Sequence, residues 1–317
     1  MEKTATPMRS PFIKFIRSEY LYLFVVICLL FLIGEEIGLR TLKAQTQAIT
    51  MLSDPFPHFQ ESLYPQLAHV YTPQISAQAA LILDVSSRVV VFSKNPFLRF
   101  PPASTTKIMT ALTALDYFKP EDILTAYDPT VVPVVLGLSK NEKMTFQNLL
   151  YAMLLPSAND AAVVIAQNFP GGEKAFVRKM NEKVDLFRLY DTHYADPVGL
   201  NDDQDYTTVH DLAIIASFAI EHPVLSKIVA TKYATISSTS GKEYKLENLN
   251  KLLGQYGVNG IKTGYTEEAG EVLVTSARMN NNHEYVFVVM KSNDRFVDTL
   301  TLLQLIQNNV SYSTIHP

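Results

Sequence analysis

The chain has 317 residues, of which 47% are hydrophobic and 18% charged, and its formal net charge is −4. This composition is that of a globular protein of one or two domains, and the slight acidity gives no general attraction to nucleic acid. The one cysteine, Cys28, lies in an N-terminal apolar run. Disulfides, cysteine-ligated zinc and thiol catalysis are therefore excluded for the remainder of the chain.

An uncharged apolar run over 20–34 is preceded by three basic residues, Arg9, Lys14 and Arg17, and is followed by two glutamates. This asymmetry predicts a cytoplasmic basic tail (1–19), a transmembrane anchor (20–39) and an exported remainder, in the periplasm or at the cell exterior. A cleaved signal peptide is the rival interpretation.

The segment 40–74 has four prolines and little periodicity, which is typical of a juxtamembrane spacer. We expect one folded domain over 75–317. Its first elements are two apolar runs, 80–85 and 88–93, around the polar pair Ser86 and Ser87, which predict a β-hairpin.

Apolar residues then recur at helical spacing, and the period changes late in the chain. Helices are predicted over 104–115, 146–153 (with Thr145 as N-cap), 161–166, 173–186 and 209–220, strands over 270–279 and 285–290, and a last helix over 296–308. This order predicts an α+β fold, in which N- and C-terminal strands form one antiparallel sheet and a large helical insert packs against it.

Ser104 and Lys107 lie three residues apart at the predicted start of a helix. Side chains at i and i+3 share a helix face, so the hydroxyl and the amine can meet. The amine can act as a base only when neutral, a form that burial or a second cation favours. The pair predicts a serine nucleophile with a lysine base, although Ser-x-x-Lys alone also describes an ordinary helix start.

Ser157 and Asn159 follow the predicted helix that Pro156 ends. A second hydroxyl and an amide at this place can relay a proton and orient a substrate. Ser and Asn are also common in ordinary turns.

Lys262, Thr263 and Gly264 precede Tyr265 and a strand-like stretch. A cation, a hydroxyl and a glycine at a strand edge let an extended peptide dock along the backbone, because glycine permits close approach. The triplet alone also describes a loop.

The three motifs occur in the order that is characteristic of β-lactamases and penicillin-binding proteins. The sequence resembles the serine-type D-Ala-D-Ala carboxypeptidases, which are low-molecular-mass penicillin-binding proteins of the β-lactamase/transpeptidase-like superfamily. The stretches that carry the resemblance are 102–112, 155–162, 196–200, 259–266 and 269–270.

The resemblance implies an acyl-enzyme formed on peptidoglycan stem peptides that end in D-Ala-D-Ala, without a cofactor. Ser104 would attack the penultimate D-Ala, and Lys107 would take its proton. Ser157 and Lys262 would return a proton to the leaving amine. The backbone N–H groups of Ser104 and Tyr265 would hold the oxyanion.

Further roles follow from the same resemblance. Asn159 is expected to hydrogen-bond Lys107 and the substrate backbone, and Lys262 to keep Lys107 neutral. Thr263 and Arg295 are expected to bind the terminal carboxylate, although Arg295 also fits a surface cation at a helix start. β-Lactams are the expected covalent inhibitors.

Three rival activities remain open in the sequence: an endopeptidase on D-amino crosslinks, a β-lactamase and a non-catalytic penicillin sensor. The segment 247–250 resembles the glutamate-bearing motif of class A β-lactamases, but we interpret it as structural, so rapid β-lactam hydrolysis is not expected. Many family members continue into a β-rich domain and a C-terminal anchor, so the tether of this chain is expected to be N-terminal.

Two sets of polar residues lack the spacing of metal ligands. They are the histidines His193, His210 and His283 and the loop carboxylates Asp202, Asp203 and Asp205. We expect no metal site, and a solvated turn at the three aspartates.

Overall fold

The structure is a computed structural model, and it describes residues 62–130 and 133–315. The predicted tail and anchor lie outside the described residues. Within the described part of the chain, no single helix is both long and apolar enough to cross a bilayer. Two consecutive helices, Val209–Glu221 and Pro223–Val229, meet these criteria only together, across a bend of 102°.

The strands and helices are numbered in chain order. The strands are β1 (Ser62–Leu67), β2 (Ala79–Asp84), β3 (Val90–Lys94), β4 (Ile123–Thr125), β5 (Lys143–Thr145), β6 (Tyr233–Ser237), β7 (Glu243–Glu247), β8 (Val258–Thr266), β9 (Gly270–Arg278), β10 (Glu284–Ser292) and β11 (Val310–Ile315). The helices are α1 (Thr106–Leu115), which a 3₁₀ turn (Ala103–Thr105) precedes, α2 (Phe146–Leu154), α3 (Asn159–Gln167), α4 (Gly172–Leu186), α5 (Val209–Glu221), α6 (Pro223–Val229) and α7 (Arg295–Ile306).

A five-stranded antiparallel sheet with the order β3-β2-β10-β9-β8 forms the centre of the described chain. β2 from the start of the domain pairs with β10 from its end, with Leu81 opposite Val288. Helices α1 to α6 lie between β3 and β8 in the sequence. The prediction of an antiparallel sheet built from both ends of the domain around a helical insert is confirmed, while the transmembrane helix stays a prediction.

Both faces of this sheet are buried. Leu81 and Leu83 of β2 point into the larger core, which α5 covers, while Ala80 and Ile82 point into a second core under α7. Neighbouring residues of a strand point to opposite faces. The sequence of a strand that is covered on both faces is therefore a continuous apolar run, as it is in β2.

β1 lies in the segment that the sequence predicts as a spacer. It pairs with β11 along its whole length, so the predicted spacer contains a strand that belongs to the folded unit. The signal for β1 is weak because the strand contains Pro65 and has a single partner in a two-stranded sheet. The sequence also fails to predict β4 to β8, β11 and the short helix α6.

Asp298 of α7 joins the start of the folded chain to the end of β10. Its buried carboxylate accepts from the backbone N–H groups of Ser76 (2.8 Å) and Ala77 (2.7 Å). The hydroxyls of Ser76 and Ser292 donate to the same carboxylate at 2.7 and 2.5 Å. Four donors thus depend on one side chain.

We expect Asp298→Ala to lower the free energy of unfolding by about 3 kcal/mol, because it leaves buried donors without an acceptor. Urea titration followed by circular dichroism measures the change. Asp185→Ala is the matched control, since Asp185 is exposed on α4, and it should change stability by less than about 0.5 kcal/mol. Equal effects of the two substitutions would contradict the role of Asp298.

Candidate active site

Ser104 lies in the 3₁₀ turn that leads into α1. The turn begins at Ala103, whose φ of 48° falls in the left-handed region that few non-glycine residues adopt. Thr105 Oγ1 donates to the carbonyl of Pro102 at 2.6 Å, so this hydroxyl closes the turn rather than capping the helix. The Ser104 side chain is left at the first turn of the helix, where backbone N–H groups are unpaired.

Lys107 is fully buried one turn further along. Its Nζ lies 2.8 Å from Ser104 Oγ and 2.9 Å from the carbonyl oxygen of Val198. Burial lowers the pKa of Lys107 to about 7, and the Asp196 carboxylate opposes this shift. The structure thus places an amine that is readily neutral in direct contact with the predicted nucleophile.

The loop 195–205 supplies the second contact of Lys107. Asp196 accepts from the N–H groups of Val198 and Gly199 at 2.7 and 2.6 Å, which holds a tight turn. Gly199 has a φ of 81°, and a Cβ there would lie 1.9 Å from the Ala103 carbonyl oxygen. In the sequence, 196–200 is only one of the stretches that carry the family resemblance. The contact of the Val198 carbonyl with Lys107 could not be predicted from residue types.

β8 is an edge strand of the sheet, and it runs past the 3₁₀ turn. A Cβ on Gly264 would lie 3.2 Å from the Pro102 carbonyl oxygen and 3.3 Å from Ser104 N. Glycine therefore lets the strand approach the backbone at the nucleophile. The predicted glycine of the third motif is explained by this contact, and Tyr265, the next residue, is 61% exposed.

Lys262 of β8 is also fully buried, and its Nζ donates to the Thr263 carbonyl at 2.9 Å. Burial lowers the pKa of Lys262, and the charges of Lys107 and Arg295 lower it further. Burial is the first cause of the lowered pKa of Lys107, and repulsion between the two amines disfavours charging both of them, so the expectation that Lys262 keeps Lys107 neutral stays a prediction. Thr263 is buried beside it.

Arg295 lies at the start of α7, and its guanidinium reaches the third motif. Nη1 donates to the Gly264 carbonyl at 2.7 Å, while Nε lies 4.0 Å from the Glu271 carboxylate. Only 17% of the side chain is exposed. Arg295 is therefore part of the site's wall and not a free surface cation; its expected contact with a substrate carboxylate stays a prediction.

Ser157 and Asn159 are both buried between α2 and α3. Ser157 has a φ of 68°, and neither its hydroxyl nor Asn159 Oδ1 has a partner among the residues that the structure describes. The Asn159 amide donates instead to the Pro133 carbonyl, and its backbone N–H donates to Val134. The predicted hydrogen bond from Asn159 to Lys107 is therefore wrong in this structure.

A left-handed backbone and buried polar groups without a partner in the described part of the chain occur together at this motif, which is common where a ligand completes the hydrogen bonding.

The structure also describes the segment 247–250 and the aspartate loop. Asn248 donates to the carbonyls of Val229 and Thr231, and Asn250 donates to that of Gly260, which confirms a structural role for this segment. Asp205 is only 2% exposed, so the prediction of a solvated turn is wrong for this residue.

The sequence model for D-alanyl-D-alanine carboxypeptidases, peptidase family S11, matches residues 66–294, which includes all three motifs. The chain belongs to this family. It is 32% identical over 251 residues to D-alanyl-D-alanine carboxypeptidase DacF of Bacillus subtilis, with 77% of the chain and 63% of that relative covered. It is 30% identical over 217 residues to a D-alanyl-D-alanine endopeptidase of Escherichia coli, with 66% and 69% covered.

Among solved structures, the crystal structure of the Streptomyces K15 DD-transpeptidase aligns with a TM-score of 0.70 and 29% identity, covering 74% of this chain and 98% of that one. This chain therefore has the transpeptidase-like fold. The chain spans about 63% of the length of DacF.

Buried Lys107 has a consequence for stability. A lysine with a folded pKa of about 7 and an unfolded value of about 10.4 binds fewer protons when folded between these limits. The free-energy cost of burying the charged amine is fully present below pH 7 and disappears as the pH rises toward 10. Lys107 therefore makes the free energy of unfolding increase with pH in this range.

We expect Lys107→Met to raise the melting temperature at pH 7 by several degrees and to flatten its rise between pH 7 and 10. Differential scanning calorimetry of both proteins across this range measures the difference. Lys174→Met, at an exposed position of α4, is the control and should leave the profile unchanged. A lower melting temperature for Lys107→Met at pH 7 would contradict the statement that burial of the Lys107 amine destabilises the folded protein.

Proposed function

We propose that the chain is a serine-type D-Ala-D-Ala carboxypeptidase that removes the terminal D-Ala of peptidoglycan stem pentapeptides. The observation that carries the proposal is the 2.8 Å contact between Ser104 Oγ and the fully buried amine of Lys107. A base for a serine must be neutral and within hydrogen-bond reach; this amine lies within that reach, and burial lowers its pKa to about 7, which favours the neutral form. The family membership and the names of the relatives support the same activity.

In the proposed reaction Ser104 Oγ attacks the carbonyl carbon of the penultimate D-Ala, and Lys107 Nζ takes the hydroxyl proton. The C–N bond breaks, and the terminal D-Ala leaves as its amine with a proton delivered through Ser157. Water then attacks the ester on Ser104 and releases the shortened peptide. The backbone N–H groups of Ser104 and Tyr265 are the proposed donors to the oxyanion, and loss of one such donor typically costs 100- to 1,000-fold.

β8, an edge strand of the central sheet, is the proposed docking strand for the stem peptide, because an extended chain can pair with an edge strand. Thr263 and Arg295 supply a hydroxyl and a cationic group near the end of this strand, which suits a terminal carboxylate. An open cavity of about 420 Å³ is lined by Pro156 and Ala158, on either side of Ser157, and by 134–136 and 243–246, and it can take other parts of the peptide. β-Lactams are the proposed covalent inhibitors of the same site.

The endopeptidase activity of one relative would use the same acyl-enzyme with a different leaving amine. Asn159 and Ser157 would act on both leaving amines in the same way. The choice between carboxypeptidase and endopeptidase activity therefore depends on the shape of the cleft on the side of the leaving amine. A rapid β-lactamase is less well supported, because the segment 247–250 is held by structural hydrogen bonds.

We further propose that residues 20–39 anchor the enzyme in the cell membrane, with the catalytic domain outside the cytoplasm. The support is the apolar run between basic and acidic flanks and the location of peptidoglycan itself.

Incubation with a fluorescent penicillin should give a covalent adduct, and Ser104→Ala should lose it, with a fall of at least about 10⁴-fold in labelling rate. The exposed Ser139→Ala is the control and should label normally. Release of D-Ala from a pentapeptide then separates the activities. Absence of labelling would refute the mechanism, fast turnover of the adduct would indicate a β-lactamase, and cleavage of crosslinked dimers alone would indicate an endopeptidase.

Protease added outside intact spheroplasts should degrade the catalytic domain while cytoplasmic markers survive, because the domain is proposed to lie outside the membrane. Immunoblotting with an antibody against the domain measures the loss. Lysed spheroplasts are the control for protease access. Full protection of the domain in intact spheroplasts would refute the proposed topology.

A further inference from the structure

The loop 195–205 is closed at its base by a pair of backbone hydrogen bonds. His193 N–H donates to the Tyr206 carbonyl at 2.8 Å, and Tyr206 N–H donates to the His193 carbonyl at 3.1 Å. One residue further along, Thr207 exchanges two hydrogen bonds of 2.9 Å with Phe100, just upstream of Ser104. The base of the loop is thus fixed to the chain that enters the nucleophile turn.

Inside this base, one buried carboxylate holds both arms of the loop. Asp205 Oδ1 accepts from Ala195 N–H at 2.5 Å, and Oδ2 accepts from Asn201 N–H at 3.3 Å. The residues between these two donors include Val198, whose carbonyl contacts Lys107. Pro197 also accepts from Thr110 of α1 at 2.7 Å, so the loop rests on the helix that bears the base.

The contact with Val198 matters for the direction of proton transfer. A neutral amine has one lone pair and two N–H groups. When one N–H donates to the Val198 carbonyl, the lone pair is free to face Ser104 Oγ, which is the arrangement that a base requires. If the carbonyl moves away, the amine can rotate and present an N–H to the hydroxyl instead.

We propose that Asp205 is a positioning residue for catalysis: its carboxylate ties the two arms of the loop and so keeps the Val198 carbonyl in place to orient Lys107. The inference rests on the proposed acyl-transfer function and assigns a role to a residue outside the three motifs. Asp205 contacts neither Ser104 nor Lys107, and it acts through the loop.

The titration of Asp205 gives the proposal a measurable signature. Burial raises the pKa of Asp205 to about 7, and the carboxylates of Asp196 and Asp202 add to this shift, while the two backbone donors oppose it. The charge of Asp205 in turn raises the pKa of the buried phenol of Tyr194, after burial itself. Below pH 7 a protonated Asp205 loses part of its ability to accept, so it resembles the variant Asp205→Asn.

The experiment compares acylation rate constants of the parent protein and of Asp205→Asn with a fluorescent penicillin between pH 5.5 and 9. Above pH 8 the variant should be about tenfold slower, in the acylation step rather than in the initial binding constant. As the pH falls through about 7, the ratio of the two rates should approach one.

Asp203→Asn, in the same loop but exposed, is the matched control and should give a ratio near one at every pH. Asp205→Asn should not lower the melting temperature at pH 8, because it removes a buried charge. A merely structural role would lower stability and leave the ratio independent of pH.

A ratio near one for Asp205→Asn at every pH, with the parent labelled normally, would overturn the positioning role and leave the proposed function standing. An unlabelled parent would instead refute the proposed function itself. If the variant does not fold, hydrogen exchange in the parent decides: protection of the Ala195 and Asn201 amides should fall as the pH drops through about 7, and constant protection would overturn the proposal.

Discussion

Lys107 Nζ contacts a hydroxyl on one side and a backbone carbonyl on the other, and the lysine side chain is fully buried. A charged ammonium is costly there, and the lowered pKa is the direct result. Several features that are far apart in the sequence contribute to the surroundings of the Lys107 amine. The glycine at 199 lets the loop approach the turn, and the core beneath α1 keeps the amine dry. The free energy that the domain loses by burying an amine is compensated by the apolar cores on both faces of its sheet.

Much of this arrangement could be predicted from residue types and spacing. Ser104 and Lys107 meet because positions three apart share a helix face, which needs no knowledge of the fold. Thr145 does cap α2, with its hydroxyl accepting from Asn148 N–H, because Thr before a helical apolar pattern is a strong start signal. The central strands β2 and β10 were marked by apolar runs, since burial on both faces leaves no room for polar residues.

Other features depend on contacts that spacing does not contain. Val198 takes part in the site through its carbonyl, and every residue has one, so no side chain could signal it. Asn159 was expected to reach Lys107, but its amide turns to Pro133, 26 residues earlier in the chain. Asp205 was taken for a solvated aspartate because a carboxylate in a polar loop is usually exposed. β8 contains two glycines that lower its strand propensity, and the same glycine at 264 is needed for its approach to Ser104.

The pairing of β1 with β11 has a consequence for the construction of fusion proteins. Ser62 lies opposite Ile315 in this ribbon, so the two ends of the described chain leave the domain side by side. A reporter domain joined close behind Ile315 would therefore emerge next to Ser62. A short linker would crowd that exit, whereas a flexible linker of a dozen or more residues would let the reporter clear it.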